Sequence, residues 1–423
     1  MYLNGWARQA TLLRMWRGSS LRELPLPVLW RLRRMLSGEK MVRIGDRTMV
    51  HSFLPPFPSR AFESMAHGLN EVRRGRAVPV SAYLAVTNRC SYACWHCSKA
   101  HRAERDLPLS FWRRAVRETQ ELGVAIVGIT GGEPLQRNDL EEIVQAADSR
   151  SVTILFTSGA GFDEARAAAL KRSGLFGVAV SLDHWQAGAH DERRGRPGAF
   201  DTALAAIRRA RRLGFYTMIQ LVATRDMLRT ETQARYLDLA RKLDVHEIRL
   251  LEPMPAGRLL EAEQAALLSA AERAQLRQWH LRANRRRGPT KTTAFAHIEA
   301  PDMYGCGAGS QHLYVDASGH VCPCDFTPVS FGNLREEPLA DVWRRMGEAF
   351  GRPCSSCFLL RHAAHLREAF DGRLPIPYEQ AKAICARDPN DPLPGFYRRL
   401  GKRGRRQTSQ AESSLRRAVP ATQ

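Results

Sequence analysis

The chain has 423 residues, 44% of them hydrophobic, and a formal net charge of +21. That length predicts two or three units, one of them large enough for a barrel of about 200 residues. No uninterrupted run of about 18 apolar residues occurs, which excludes a simple membrane-spanning helix.

The charge is unevenly placed. Residues 1–40 carry eight Lys/Arg against two Asp/Glu, and residues 398–423 carry eight against one, so the two ends supply +13 of the +21. Such ends suit anionic lipid, nucleic acid or acidic peptide. For the C-terminal run a solvated tail is the simpler expectation. The N-terminus lacks the apolar core of a secretory signal. A cytoplasmic location with reduced thiols is therefore expected.

In chain order, residues 1–78 read as a basic, mainly helical extension. Leu29, Leu32, Met35 and Leu36 follow helical spacing, with Arg31, Arg33 and Arg34 on the other side. Trp6, Trp16 and Trp30 beside the arginines suit a basic amphipathic helix at an anionic membrane surface. A helix packed on the bottom of a barrel explains the leucines equally well. A hairpin is expected over 41–53, turning at Gly45-Asp46, then a proline break at 55–58 and a helix over 60–74.

From 79 to 290 strand and helix alternate. Strands are expected at 82–86, 124–129, 152–156, 177–182, 216–222 and 247–251, with helical stretches between them. Six such units with parallel strands predict an α/β fold, a partial (β/α)6 TIM-like barrel. Its chemistry would sit at the C-terminal ends of the strands. A small Cys-rich module follows at 300–360, then a helical or loop segment at 361–397. A basic, disordered tail is expected at 398–423.

The most informative segment is Cys90-Ser-Tyr-Ala-Cys-Trp-His-Cys97, directly after the first expected strand. Its C-x3-C-x2-C spacing offers three thiolates from one loop. A [4Fe–4S] cube usually takes four, so three leave one iron open to a substrate or cofactor. Zinc with three cysteines and one histidine is the main alternative. His96, squeezed between Trp95 and Cys97, is poorly placed to complete that tetrahedron.

This loop resembles the cluster loop of the radical S-adenosylmethionine (SAM) superfamily, where SAM chelates the open iron. Further segments carry the resemblance. Gly128-Ile-Thr-Gly-Gly-Glu-Pro134 ends the second strand and matches the segment that meets the SAM amino group, with Gly131, Gly132 and Glu133. Ser181 and Asp183, at the end of the fourth strand, resemble the ribose contacts. Arg194, before Gly195, matches the arginine near the SAM carboxylate. His96 stands where the family often has an aromatic residue near the adenine. Pro255-Ala-Gly-Arg258 also resembles a family loop, although a turn suffices to explain it.

Cys306, Gly319, Cys324, Cys354 and Cys357 follow the pattern C-x12-G-x4-C … C-x2-C. That pattern resembles the twitch module, a shortened SPASM domain. The resemblance implies an auxiliary [4Fe–4S] cluster on Cys306, Cys324, Cys354 and Cys357, with structural zinc as the alternative. Cys322 and Cys385 are left over. Cys322 could replace Cys324, and a packed thiol is the ordinary fate of Cys385.

The resemblance implies an enzyme that cleaves SAM to a 5′-deoxyadenosyl radical and takes hydrogen from a substrate. An electron donor such as flavodoxin or ferredoxin is implied as partner. The substrate is open: a peptide, a small molecule or a lipid-like metabolite. No catalytic acid or base is identified. A non-catalytic metal-binding scaffold would have no need of the SAM-type residues. Nucleic acid is a weaker partner, because the tail has no aromatic residues beyond Phe396 and Tyr397 to stack bases.

Overall fold

The computed structural model describes residues 2–3, 5–103, 106–261, 267–385 and 391–400. Most of the C-terminal basic tail expected at 398–423 lies outside these residues.

Six parallel strands form the heart of the molecule: β1 (Ser81–Ala85), β2 (Ile126–Thr130), β3 (Val152–Thr157), β4 (Gly177–Ser181), β5 (Tyr216–Val222) and β6 (Glu247–Leu251). They pair in chain order, each parallel to the next. Their near-continuous apolar runs reflect burial on both faces. Alternation then sorts the side chains. Leu84, Ile129, Leu155 and Val180 face the outer helices. Tyr83, Ile154, Ala179 and Met218 fill the inside. Gly128 makes room for the Tyr83 ring, since a Cβ there would stand 2.3 Å from it.

The sheet extends past the six expected strands on both sides. β7 (Lys291–Ala294) adds parallel to β6, and β8 (His312–Val315) adds parallel to β1. β9 (Val321–Cys322) then pairs antiparallel with β8. The order is β7-β6-β5-β4-β3-β2-β1-β8-β9, so the barrel is partial and open between β7 and β9. The Cys-rich segment thus shares the main sheet. Gly319, at φ +92°, makes the turn between β8 and β9.

The N-terminal segment covers the open side. It contains helices Gly5–Arg17, Leu26–Leu36 and Arg60–Arg73 and the hairpin Met41–Ile44/Arg47–Met49. Ser59 caps the third helix by accepting from the Phe62 amide at 3.0 Å. Buried polar ties fasten this cover to the barrel. Glu247 accepts from the Ser52 hydroxyl at 2.7 Å, and Arg249 donates to the same hydroxyl at 2.6 Å. Glu39 meets His280 at 3.0 Å. The Ala294 amide donates to Nδ1 of His280, so in the neutral ring Nε2 carries the proton that faces Glu39. Among the described residues no helix is long and apolar enough to cross a membrane.

Candidate active site and auxiliary centre

The cysteine loop runs from the end of β1 across the C-terminal mouth of the barrel. Cys90 is exposed, and Cys94 and Cys97 are half-buried. Partial desolvation by the surrounding loop raises the Cys90 thiol. Burial also raises Cys94, while the Arg194 guanidinium works against it. No disulfide ties any of these thiols.

Three segments distant in sequence hold the loop by backbone contact. The Gly132 amide donates to the Thr87 carbonyl at 2.7 Å, and the Glu133 amide donates to the Arg89 carbonyl at 2.8 Å. A Cβ on Gly131 would stand 2.2 Å from the Thr87 oxygen, and one on Gly132 would stand 2.4 Å from the Arg89 oxygen. Both glycines are thus needed for this close approach. From below, the Ala93 amide donates to the Arg194 carbonyl at 3.1 Å. On the far side, the Arg258 amide donates to the Cys97 carbonyl at 3.0 Å. The Arg258 side chain reaches the Ala93 carbonyl at 2.7 Å. The Pro255–Arg258 segment is therefore more than a turn.

Side chains complete the connection. Asp183 is fully buried, and its Oδ2 lies 2.8 Å from Arg194 Nε and 3.2 Å from His96 Nε2. Its Oδ1 accepts from the Val222 amide at 3.0 Å. Burial pulls the Asp183 carboxyl upward, but Arg194 and His96 hold it well below the usual carboxylate range. Arg194 Nη1 reaches the Cys94 sulfur at 3.7 Å. Ser181, half-buried, closes β4 just before.

Glu133, expected in the segment that meets the SAM amino group, does not present a free carboxylate at the mouth. It is buried, and its oxygens accept from the Thr157 hydroxyl at 2.7 Å, the Ser158 amide at 2.8 Å and the Leu135 amide at 3.2 Å. Burial raises this carboxyl and these bonds oppose the shift. Its visible task is to join the end of β2 to the end of β3.

The second thiol group lies where the C-terminal module packs on the sheet. Cys306 and Cys354 exchange backbone hydrogen bonds at 2.9 and 3.2 Å. Cys306 and Cys357 bring their sulfurs together with a Glu299 oxygen, all within 4.8 Å of one another. Hydrogen bonding from the Cys357 thiol lowers the Cys306 thiol, and the Phe358 and Ala308 amides add to it. Burial raises Cys324, with Asp325 and Cys306 adding repulsion. Cys324 sulfur accepts from the Thr327 amide at 3.2 Å.

Cys322 goes elsewhere. On β9 it faces the barrel interior, with both Arg102 Nη atoms 3.9 Å from its sulfur. The neighbouring thiols of Cys322 and Cys324 thus point into different environments. Cys385 is buried in the main core, where burial alone pushes its thiol up to about 12.

Sequence reasoning missed Lys99 and Glu299. Lys99 Nζ sits 3.8 Å above the Tyr314 ring and 3.5 Å from the Asp325 carbonyl. It therefore spans from the cysteine loop to the C-terminal module. Burial lowers its amine to about 8. A lysine two positions after a loop cysteine was the only signal available for it.

Comparison with known proteins bears on this arrangement. The radical SAM superfamily model matches residues 84–243, and the iron–sulfur cluster-binding SPASM model matches residues 306–358. The PqqA peptide cyclase of Gluconobacter oxydans is 30% identical over 302 residues, which cover 66% of this chain and 82% of that protein. The chain belongs to the radical SAM superfamily. Its cofactors are SAM and a [4Fe–4S] cluster, with auxiliary iron–sulfur binding in the SPASM module. The AdoMet-dependent heme synthase of Methanosarcina barkeri is 26% identical over 61% of this chain and 80% of that protein.

Among solved structures, Streptococcus suis SuiB bound to precursor peptide SuiA superposes with a TM-score of 0.54 at 18% identity. That match covers 67% of this chain and 69% of SuiB. The anSMEcpe complex with AdoMet and Cp18Cys peptide has a TM-score of 0.51 at 14% identity, over 80% and 99% of the two chains. At these identities the structures show the shared fold.

Proposed function

We propose that this radical SAM enzyme cleaves SAM reductively at the mouth of the barrel and abstracts hydrogen from a substrate placed between the two thiol groups. The observation that carries the reading is the continuous chain His96–Asp183–Arg194–Cys94. It fixes a buried carboxylate and a guanidinium at a loop of three free thiols. Cys90, Cys94 and Cys97 would hold the first [4Fe–4S] cluster. Gly131, Gly132, Ser181, Asp183, Arg194 and His96 would surround SAM, while Glu133, its oxygens taken by Thr157 and Ser158, would brace the glycine segment from behind. When bound, the reduced cluster supplies the electron that splits SAM into methionine and a 5′-deoxyadenosyl radical, which takes a hydrogen atom from the substrate.

The chain's own residues bind, orient and exclude water. The glycine segment lets the cysteine loop pack close. Asp183 is held ionised by its neighbours. The barrel interior below is filled by Tyr83, Tyr216 and Tyr314, so the mouth has a closed floor. Cys306, Cys324, Cys354 and Cys357 would hold the auxiliary [4Fe–4S] cluster, able to take an electron from the substrate radical. A flavodoxin or ferredoxin would supply the first electron.

For the substrate, a large apolar cavity ending at Cys306, Cys324 and Cys357 favours a lipid-like part, met at an anionic membrane surface. A peptide is the second reading. It is supported by the similarity to PqqA peptide cyclases and by basic ends that could hold an acidic leader. The reaction itself is tested by anaerobic incubation of reconstituted protein with SAM and dithionite. Release of 5′-deoxyadenosine by the wild type and none by Cys97→Ala is expected. Equal release by both would sink the assignment.

A further inference from the structure

The four large apolar side chains most exposed among the described residues lie within the first 30 positions. They are Trp6 (92%), Leu26 (69%), Trp30 (58%) and Leu13 (40%). Single exposed apolar residues need no explanation, but a cluster on one surface does. All four sit on the helices Gly5–Arg17 and Leu26–Leu36. Neither helix contains an acidic residue. Arg14, Arg17, Arg33 and Arg34 are exposed on the same helices and form no ion pair among the described residues. Arg34 lies 5.7 Å from the centre of the Trp30 ring.

Behind this surface lies a cavity of about 610 Å³. The auxiliary cluster would take the part beside Cys306, Cys324 and Cys357, and the leucine-lined remainder is the space for a ligand. Leu13, Leu26 and Trp30 line its outer part, so the exposed apolar surface and the cavity are continuous. Leu12, Leu29 and Leu32 continue the wall inward. The inner end is formed by Cys306, Cys324 and Cys357 with Glu299 and Asp325. The open side of the barrel makes the cavity possible, because the N-terminal helices cover that side without adding a strand to it.

The wall chemistry discriminates between occupants. An extended peptide brings an amide donor and acceptor at each residue, and each must be paired when buried. In the outer part, Leu12, Leu13, Leu26, Leu29, Trp30 and Leu32 leave only Gln9 and Arg33 as polar side chains, too few to pair them. A hydrocarbon chain has nothing to pair. Tryptophan at a water–apolar boundary and arginines without ion pairs beside it match the interface of an anionic bilayer.

We propose that the two N-terminal helices dock on an anionic bilayer, and that the cavity takes one apolar chain of a membrane-borne anionic amphiphile. The head group stays at the arginines while the chain runs toward the auxiliary thiols. This deepens the reading above, and rests on it only for the chemistry at the inner end.

The test uses the full chain in two measurements that do not depend on turnover. First, co-sedimentation is measured with phosphatidylglycerol vesicles and with phosphatidylcholine vesicles. Binding to the anionic vesicles is expected. The triple variant Trp6→Ser/Arg14→Gln/Arg17→Gln should bind them roughly tenfold or more weakly. Second, the fluorescent fatty acid cis-parinaric acid is titrated into the protein. A saturable signal at one probe per chain is expected, and Leu29→Trp should abolish it while circular dichroism stays unchanged. A Leu32→Phe variant replaces Leu29→Trp if the latter does not fold.

Equal binding to both vesicle types, or no parinarate signal, would overturn the proposal. Capture of an extended peptide in the same cavity, competing with parinarate, would overturn it in favour of a peptide. The triple variant should still release 5′-deoxyadenosine from SAM with dithionite. Absence of that product from the wild type would refute the reaction assignment and leave the vesicle result standing.

Discussion

Asp183 and Arg194 form a buried ion pair, with 2.8 Å between Oδ2 and Nε, and Arg194 continues to the Cys94 sulfur. The pair joins the end of β4 to the loop that would carry the first cluster. Breaking a buried pair by removing one charge costs about 3–5 kcal/mol. Asp183→Asn should therefore lower stability by an amount of that order in urea unfolding and weaken SAM binding by calorimetry. Arg194→Lys keeps the charge but loses the planar fork, and should show the smaller loss of stability.

Gly257 gives a prediction that no ligand count would make. Its φ is +55°, and a Cβ there would stand 2.1 Å from the Cys97 carbonyl oxygen. Gly257→Ala removes no thiol yet must displace the cysteine loop. Anaerobic reconstitution should yield less iron than in the wild type, and deoxyadenosine release should fall with it.

The two environments of the Cys322–Cys324 pair make a second test. Cys306→Ala, Cys324→Ala, Cys354→Ala and Cys357→Ala should each lose about four irons of about eight. Cys322→Ala and Cys385→Ala should keep them. Iron analysis of the six variants decides it, and loss of iron in Cys322→Ala with retention in Cys324→Ala would reverse the assignment.

Four buried histidines predict acid lability. Burial holds His51 and His190 down to about 4 and His246 and His297 down to about 3. These folded-state values lie below the unfolded value of about 6.5. Their contribution is thus fully present above pH ~6.5 and is lost as pH falls toward the folded values. At Glu39 burial acts upward, yet His280, His51 and His297 bring its carboxyl down to about 2. Its share is lost only below the unfolded carboxylate value of about 4.3. Thermal midpoints measured from pH 7 to pH 4 should decline steadily, and His297→Gln should shallow the decline.

Much of the architecture was legible because its signals are local. The strands 152–156, 216–222 and 247–251 are apolar runs between helical stretches, and β3, β5 and β6 occupy those positions. The three-cysteine loop is visible as a spacing. β7 was missed because Lys291-Thr-Thr-Ala294 is polar and short, and is buried only through pairing with β6 and cover by the N-terminal segment. The Lys99 bridge joins segments more than 200 residues apart, and the Glu299 contact needs Cys306 and Cys357 folded back onto it, which no spacing reveals. The Gly-Gly-Glu-Pro motif places Glu133 near the site but cannot foresee that Thr157 and Ser158, from the next strand, capture its carboxylate.

One open and one closed iron–sulfur site are expected in this enzyme. The most direct measurement is iron and sulfide content of anaerobically reconstituted protein, followed by 5′-deoxyadenosine release from SAM with dithionite. About eight irons per chain with deoxyadenosine formed is the predicted result. Zinc in place of iron at both thiol groups, with no cleavage of SAM, would rule out both iron–sulfur sites.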